Sequence, residues 1–153
     1  MEQDIEQLWS NQSAEQWWRR KRELAAWIDR PKPQNWQKKL LLFDDIEVDA
    51  SIYPALMTLK ELHFKTEYSC AGVSILDEPE DHSLYAYVTL MEGPNTNQFV
   101  EYAMQRMGYR LLVTYEGLKH RYDLSSFYIS QNRSFCYGLE LCAKEFSNQM
   151  LKP

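Results

Sequence analysis

The residues best suited to chemistry are Thr66, Ser69, Cys70 and Gly72, in the run Thr66-Glu67-Tyr68-Ser69-Cys70-Ala71-Gly72. A thiol beside a hydroxyl and a glycine at a strand end could act as a nucleophile, a metal ligand or an anion cradle. A nucleophile needs a base or a helix N-terminus to lower its pKa, and no helix signal follows Gly72 directly. His63 and His82 could supply a base only if the fold brings them close. The plainer alternative is that Cys70 is a small buried residue and that Gly72 serves a turn with positive φ. A metal would have to draw on Cys70, His82 and the acids Asp77, Glu80 and Asp81, and a solvated acidic loop is favoured there, so no metal site is assigned. The chain has neither a Walker pattern nor a G-x-G-x-x-G pattern.

A second cluster is positive. Arg19, Arg20, Lys21 and Arg22 stand in one run, with Trp17, Trp18, Trp27 and Trp36 nearby. Cations for phosphates and rings for bases are what a single-stranded RNA ligand needs. The competing reading is a solvated helix face over a tryptophan-rich core. The net charge of -5 argues against a surface that grips nucleic acid throughout.

The elements that position these residues follow from periodicity. Residues 3–10 read as a short helix carrying Ile5 and Leu8. Ser13 with Gln16 forms a capping box for a helix over 14–29, with Trp17, Leu24 and Ile28 on one face. Pro31 and Pro33 end it. Residues 36–43 fit strand or helix equally, and 44–49 read as an acidic loop. Asp49 or Ser51 would cap a helix over 52–63. Strands follow at 64–70 and 84–91, joined by a polar loop over 71–83. Next come a turn at 93–95 and a helix over 96–107 ended by Gly108. Two more strands, 109–115 and 124–130, form a hairpin with a long connection. The last helix runs over 134–151, with Cys136 and Cys142 as core fillers.

That order predicts an α+β fold: a mostly antiparallel sheet with helices packed on one face. At 153 residues the chain reads as a single domain, 1–153, with a helical N-terminal extension over 1–35 and an α+β core over 36–153. No apolar run is long enough for a membrane span, and three cysteines without a C-x-x-C pair fit a cytoplasmic protein. The high aromatic content, 14%, also suits a dimerising module.

The run Thr66, Tyr68, Ser69, Cys70, Gly72 resembles the signature Thr-x-Ser-Ser-Cys-Ser-Gly-Arg of the wybutosine-synthesising tRNA methyltransferases. It is closer still to the Thr-x-Tyr-Ser-Cys-x-Gly of uncharacterised bacterial and phage proteins. Trp18, Arg20, Lys21 and Leu24 look like that family's aromatic-x-Arg-Lys helix. Val48-Asp49, Ile52 and Leu56 look like its helix entry, and Tyr85, Tyr87 and Val88 like the strand after the signature. Val73 stands where the family has an arginine. The resemblance implies an α+β fold, S-adenosylmethionine as cofactor and methyl transfer to a modified guanosine in tRNA.

Overall fold

A computed structural model describes residues 6–30, 39–74 and 83–150. The expected linker after Arg30, with Trp36, and most of the 71–83 loop, with His82, lie outside these residues.

The fold is α+β. Five strands form one sheet in which every pairing is antiparallel: β1 (Glu6–Leu8), β4 (Thr66–Cys70), β5 (Tyr87–Met91), β6 (Leu111–Glu116) and β7 (Arg121–Ser126), in the order β1-β6-β7-β5-β4. A separate hairpin joins β2 (Leu40–Phe43) to β3 (Ile46–Asp49). The helices are α1 (Ala14–Asp29), α2 (Tyr53–Glu61), α3 (Thr96–Met107) and α4 (Asn132–Met150).

Register and burial assign the two faces of the sheet. Val88, Leu90, Leu111, Val113, Tyr122 and Leu124 are buried against a helical layer. That layer supplies Ile52, Leu56 and Leu59 from α2, Phe99, Val100 and Ala103 from α3, and Phe135, Leu139 and Phe146 from α4. Phe99 and Phe146 meet edge to face at 5.5 Å. Fully burying each such side chain stabilises the fold by roughly 1.5–3 kcal/mol, so this layer is what holds the sheet. The opposite face carries Thr114, Glu116, Arg121, Asp123 and Thr89, one residue along each strand.

Several expectations need correction. Residues 6–8 are a strand, not part of a helix: Glu6, Gln7 and Leu8 pair with Glu116, Tyr115 and Thr114. The acidic stretch 44–49 is a tight turn plus β3. Asp44 and Asp45 both take positive φ, as a two-residue hairpin turn whose twist matches its strands requires. Neither Asp49 nor Ser51 caps α2; its N-cap is Ile52, with no side-chain bond. The connection between β6 and β7 is the short turn 117–120. The second strand of that hairpin spans 121–126 rather than 124–130, and a 3-10 turn at Ile129–Gln131 leads into α4.

Helix α1 is capped as expected: Gln16 N donates to Ser13 Oγ at 3.1 Å and Ser13 N to Gln16 Oε1 at 2.7 Å. Its Trp17–Leu24–Ile28 stripe is not buried; no residue of α1 is. The helix instead lies across the end of the sheet. Gln12 before it donates to the carbonyls of Tyr109 and Leu111, and Trp17 meets Phe127 edge to face at 4.9 Å.

Candidate functional site

The 66–72 run comprises edge strand β4 and the turn that follows it. A bulge between Thr66 and Ser69 kinks the strand. Beyond Cys70 the turn is buried and pinned from both sides. Ala71 N donates to Asp49 Oδ2 at 2.7 Å. Asn132, at the start of α4 and 2% exposed, donates through Nδ2 to the carbonyls of Val73 and Leu84, both at 2.8 Å, and accepts from Ala86 N at 2.9 Å. Gly72 has φ +74°, and a Cβ there would overlap the Asn132 carboxamide and approach Ala86 N to 2.6 Å. Glycine is therefore required twice, by conformation and by space. Cys70 is 7% exposed, and its Sγ accepts from Gly72 N at 3.4 Å.

Thr66 and Ser69 have a different setting. They line a groove of about 560 Å3 between β4, the β2–β3 hairpin and α2, with Phe43, Ile46, Leu56 and His63 among its walls. Cys70 and Gly72 do not line it. The four residues of the expected site are thus divided between an open groove and a buried clamp.

A second hollow, of about 340 Å3, opens at the sheet end beside the turn. Its apolar walls are Trp27, Val73 and Ile129; its polar lining is Glu23, Ser74, Ser130, Asn132 and Arg133. Glu23 already accepts from the backbone N–H groups of Ile129, at 2.5 Å, and Ser130, at 3.1 Å. Its carboxylate thereby satisfies two donors just ahead of α4. Arg133 is exposed in the first turn of that helix.

The basic run divides as well. Arg19 pairs with Glu15 at 3.0 Å on the exposed surface, and Lys21 and Arg22 are exposed. Arg20 turns inward. It donates to the carbonyl of Phe127 at 2.5 Å and lies 3.9 Å from the centre of the Tyr85 ring. Burial lowers the Arg20 pKa, opposed by Tyr85 and Glu23; burial raises that of Tyr85, opposed by Arg20.

On the open sheet face, ligand atoms of Glu6, Glu116 and Asp123 converge within 4.8 Å. These acids already have partners: Thr89 donates to Asp123 at 2.6 Å, Thr114 to Glu6 at 3.0 Å, and Arg121 to Glu116 at 3.3 Å. Burial, then the neighbouring Glu116, holds the Asp123 pKa above the usual carboxylate range. Burial acts against Glu116 too, but hydrogen bonds from Arg121 and Asp123 pull its pKa below that range.

The chain matches no family model, no curated protein and no solved structure. Sequence reasoning missed Asn132, which meets the turn only through the tertiary fold. It also missed Glu23 and Arg133, which carried no pattern beyond helical spacing; Trp27 it placed among the rings near the basic run, not beside the 66–72 strand end.

Proposed function

We propose that the protein is a ligand-binding module whose ligand enters the hollow at the sheet end, beside the 66–72 strand end. A flat aromatic group with a negative substituent fits it best. The carrying observation is that Trp27 and Arg133 line one 340 Å3 hollow. Trp27, whose ring Arg30 also covers at 4.2 Å from its centre, offers an aromatic wall, and Arg133 offers a planar donor fork for a carboxylate or phosphate. Cys70 takes no part; it holds the turn. No described helix is long and apolar enough to cross a membrane. Buried thiols at Cys70, Cys136 and Cys142 suit a reducing compartment such as the cytoplasm. The test is a titration with adenosine monophosphate, read by tryptophan fluorescence and calorimetry. The native protein is expected to bind, and Trp27→Leu and Arg133→Gln each to weaken binding at least about tenfold. A native protein that gives no signal at millimolar probe overturns this reading.

A second reading is a tRNA-modifying methyltransferase using S-adenosylmethionine. It is favoured by one observation: the helix that walls the hollow with Trp27 also exposes Lys21, Arg22 and, at 58%, Trp18. Calorimetry with S-adenosylmethionine and salt-dependent retention on tRNA distinguish the two. Absence of both signals removes the methyltransferase.

A further inference from the structure

We infer that two copies of this chain pair through the edge of β4 that no described strand covers, in antiparallel register about Thr66. The inference concerns the β4 groove and does not rest on the sheet-end hollow.

Strand β4 ends the sheet order and has β5 as its sheet neighbour. Thr66 stands opposite Leu90, and Met91 N donates to the carbonyl of Lys65 at 2.8 Å. In an antiparallel ladder this makes Thr66 and Leu90 a non-hydrogen-bonded pair. The N–H and C=O of Thr66 therefore point away from β5, towards the groove that Thr66 lines. Two such edges related by a two-fold axis at Thr66 exchange a pair of N–H···O=C bonds, Thr66 to Thr66 in each direction.

The side chains are self-complementary in that register. Residue 65 of one copy falls opposite residue 67 of the other, so each interface carries two Lys65–Glu67 pairs. Both residues are exposed; Lys65 immediately precedes β4 and Glu67 lies where its bulge begins. Glu67 also meets Arg121 at 3.3 Å, which leaves it an acceptor for a second cation. The bulge after Thr66 ends the regular ladder, so the pairing is short and its register fixed. Tyr68, 56% exposed, and Ile46, 63% exposed, border the same groove and supply apolar area. Strand β3 meets the far end of β4 through Asp49, which accepts from Ala71 N, and its Ile46, Glu47 and Val48 form the opposite wall of the groove that Lys65, Thr66 and Glu67 line.

The test uses the full chain in analytical ultracentrifugation across concentration. The native protein is expected to dimerise. Lys65→Glu and Glu67→Lys each turn both attractive pairs repulsive, so each should weaken the dimer at least about tenfold. An equimolar mixture of the two variants restores opposite charges and should dimerise again, as should the double variant in one chain. Hydrogen exchange at the Thr66 amide should slow as concentration rises. Circular dichroism checks that each variant is folded; were Lys65→Glu to unfold, the Thr66 amide of the native protein decides alone. A native protein that stays monomeric at millimolar concentration overturns the proposal, including one whose edge instead takes a strand from another protein. So does a dimer that neither single variant weakens.

Discussion

The Asn132 carboxamide occupies the space that a side chain on Gly72 would need. One amide thus ties the β4–β5 connection to the head of α4 through three hydrogen bonds, to Val73, Leu84 and Ala86. Gly72→Ala should destabilise the protein by about 2–4 kcal/mol, from positive φ and overpacking together. Asn132→Ala should cost a similar amount, because it removes the side-chain partner of the buried Val73 carbonyl and Ala86 N–H, while the Leu84 carbonyl keeps only its bond from Val73 N. The two should not add: in the Asn132→Ala background the space is open, and Gly72→Ala should cost only the backbone strain, about 1–2 kcal/mol. Urea midpoints of the four proteins check this. Strict additivity would mean that the carboxamide does not set the requirement for glycine.

Cys70 should be a protected thiol. It is 7% exposed and sits inside the clamped turn, while Cys136 is 4% and Cys142 1% exposed. Native protein treated with iodoacetamide should label slowly at all three positions, and fully only in denaturant. Rapid labelling of Cys70 in the native state, ahead of the other two, would restore it as a reactive group.

The sequence carried the fold where side-chain burial repeats along an element. The α3 face Phe99–Val100–Ala103 and the strand at Val88–Leu90 bear that mark, and the capping box at Ser13 and Gln16 was legible from its own residue types and spacing. It failed where backbone bonding alone makes the element. All three residues of β1 are exposed, so no alternation distinguished them from a helix. Hairpin β2–β3 hid because Asp44-Asp45 makes its turn without the usual glycine. For the candidate site, local reading found the strand end but not the residues around it. Asn132 lies 60 positions from Gly72, and α1 approaches with Gln16, Arg20, Glu23 and Trp27, with Trp17 alone of its apolar stripe reaching a ring, Phe127.

Alkaline pH should unfold the protein through three groups that the fold keeps neutral. Burial, then Glu145, pushes the Cys142 thiol up to about 11. The hydrogen bond to Glu145, then burial, takes Tyr102 to about 12, and burial takes Tyr122 to about 12. Raised values mean that these contributions are complete below the unfolded values, about 8.5 for Cys and about 10 for Tyr, and are lost as pH climbs through 11 and 12. Glu145 behaves oppositely. Hydrogen bonds from Tyr102 and Arg106 lower its pKa, so its contribution is present above the unfolded value, about 4.3, and disappears as pH falls. Tyr102→Phe should flatten both limbs of a stability–pH curve measured in urea. A curve unchanged at either end would rule out Tyr102 as the group that links them.

Helix α1 buries no residue, so its docking depends on a few polar contacts, and Arg20 makes the central ones. Its guanidinium reaches two carbonyls, of Ser126 and Phe127, and stacks against Tyr85. Two charge-assisted bonds and a partly desolvated cation–π contact together are worth about 2–3 kcal/mol. Arg20→Ala should therefore free the helix while the sheet stays folded. Hydrogen exchange over residues 14–29 should approach that of an isolated 16-residue helix, which is marginal in water, while amides of β5, β6 and β7 keep their protection. Lysine should not fully rescue the contact, since an ammonium cannot lie flat on the Tyr85 ring while donating to the two carbonyls that Nη1 of the guanidinium serves. Arg22→Ala, on the exposed face of the same helix, should change stability by less than about 0.5 kcal/mol. Because Glu23 and Trp27 line the sheet-end hollow, Arg20→Ala should also weaken any ligand held there. Unchanged protection over 14–29 in Arg20→Ala would show that Gln12, Trp17 and Glu23 suffice to hold α1.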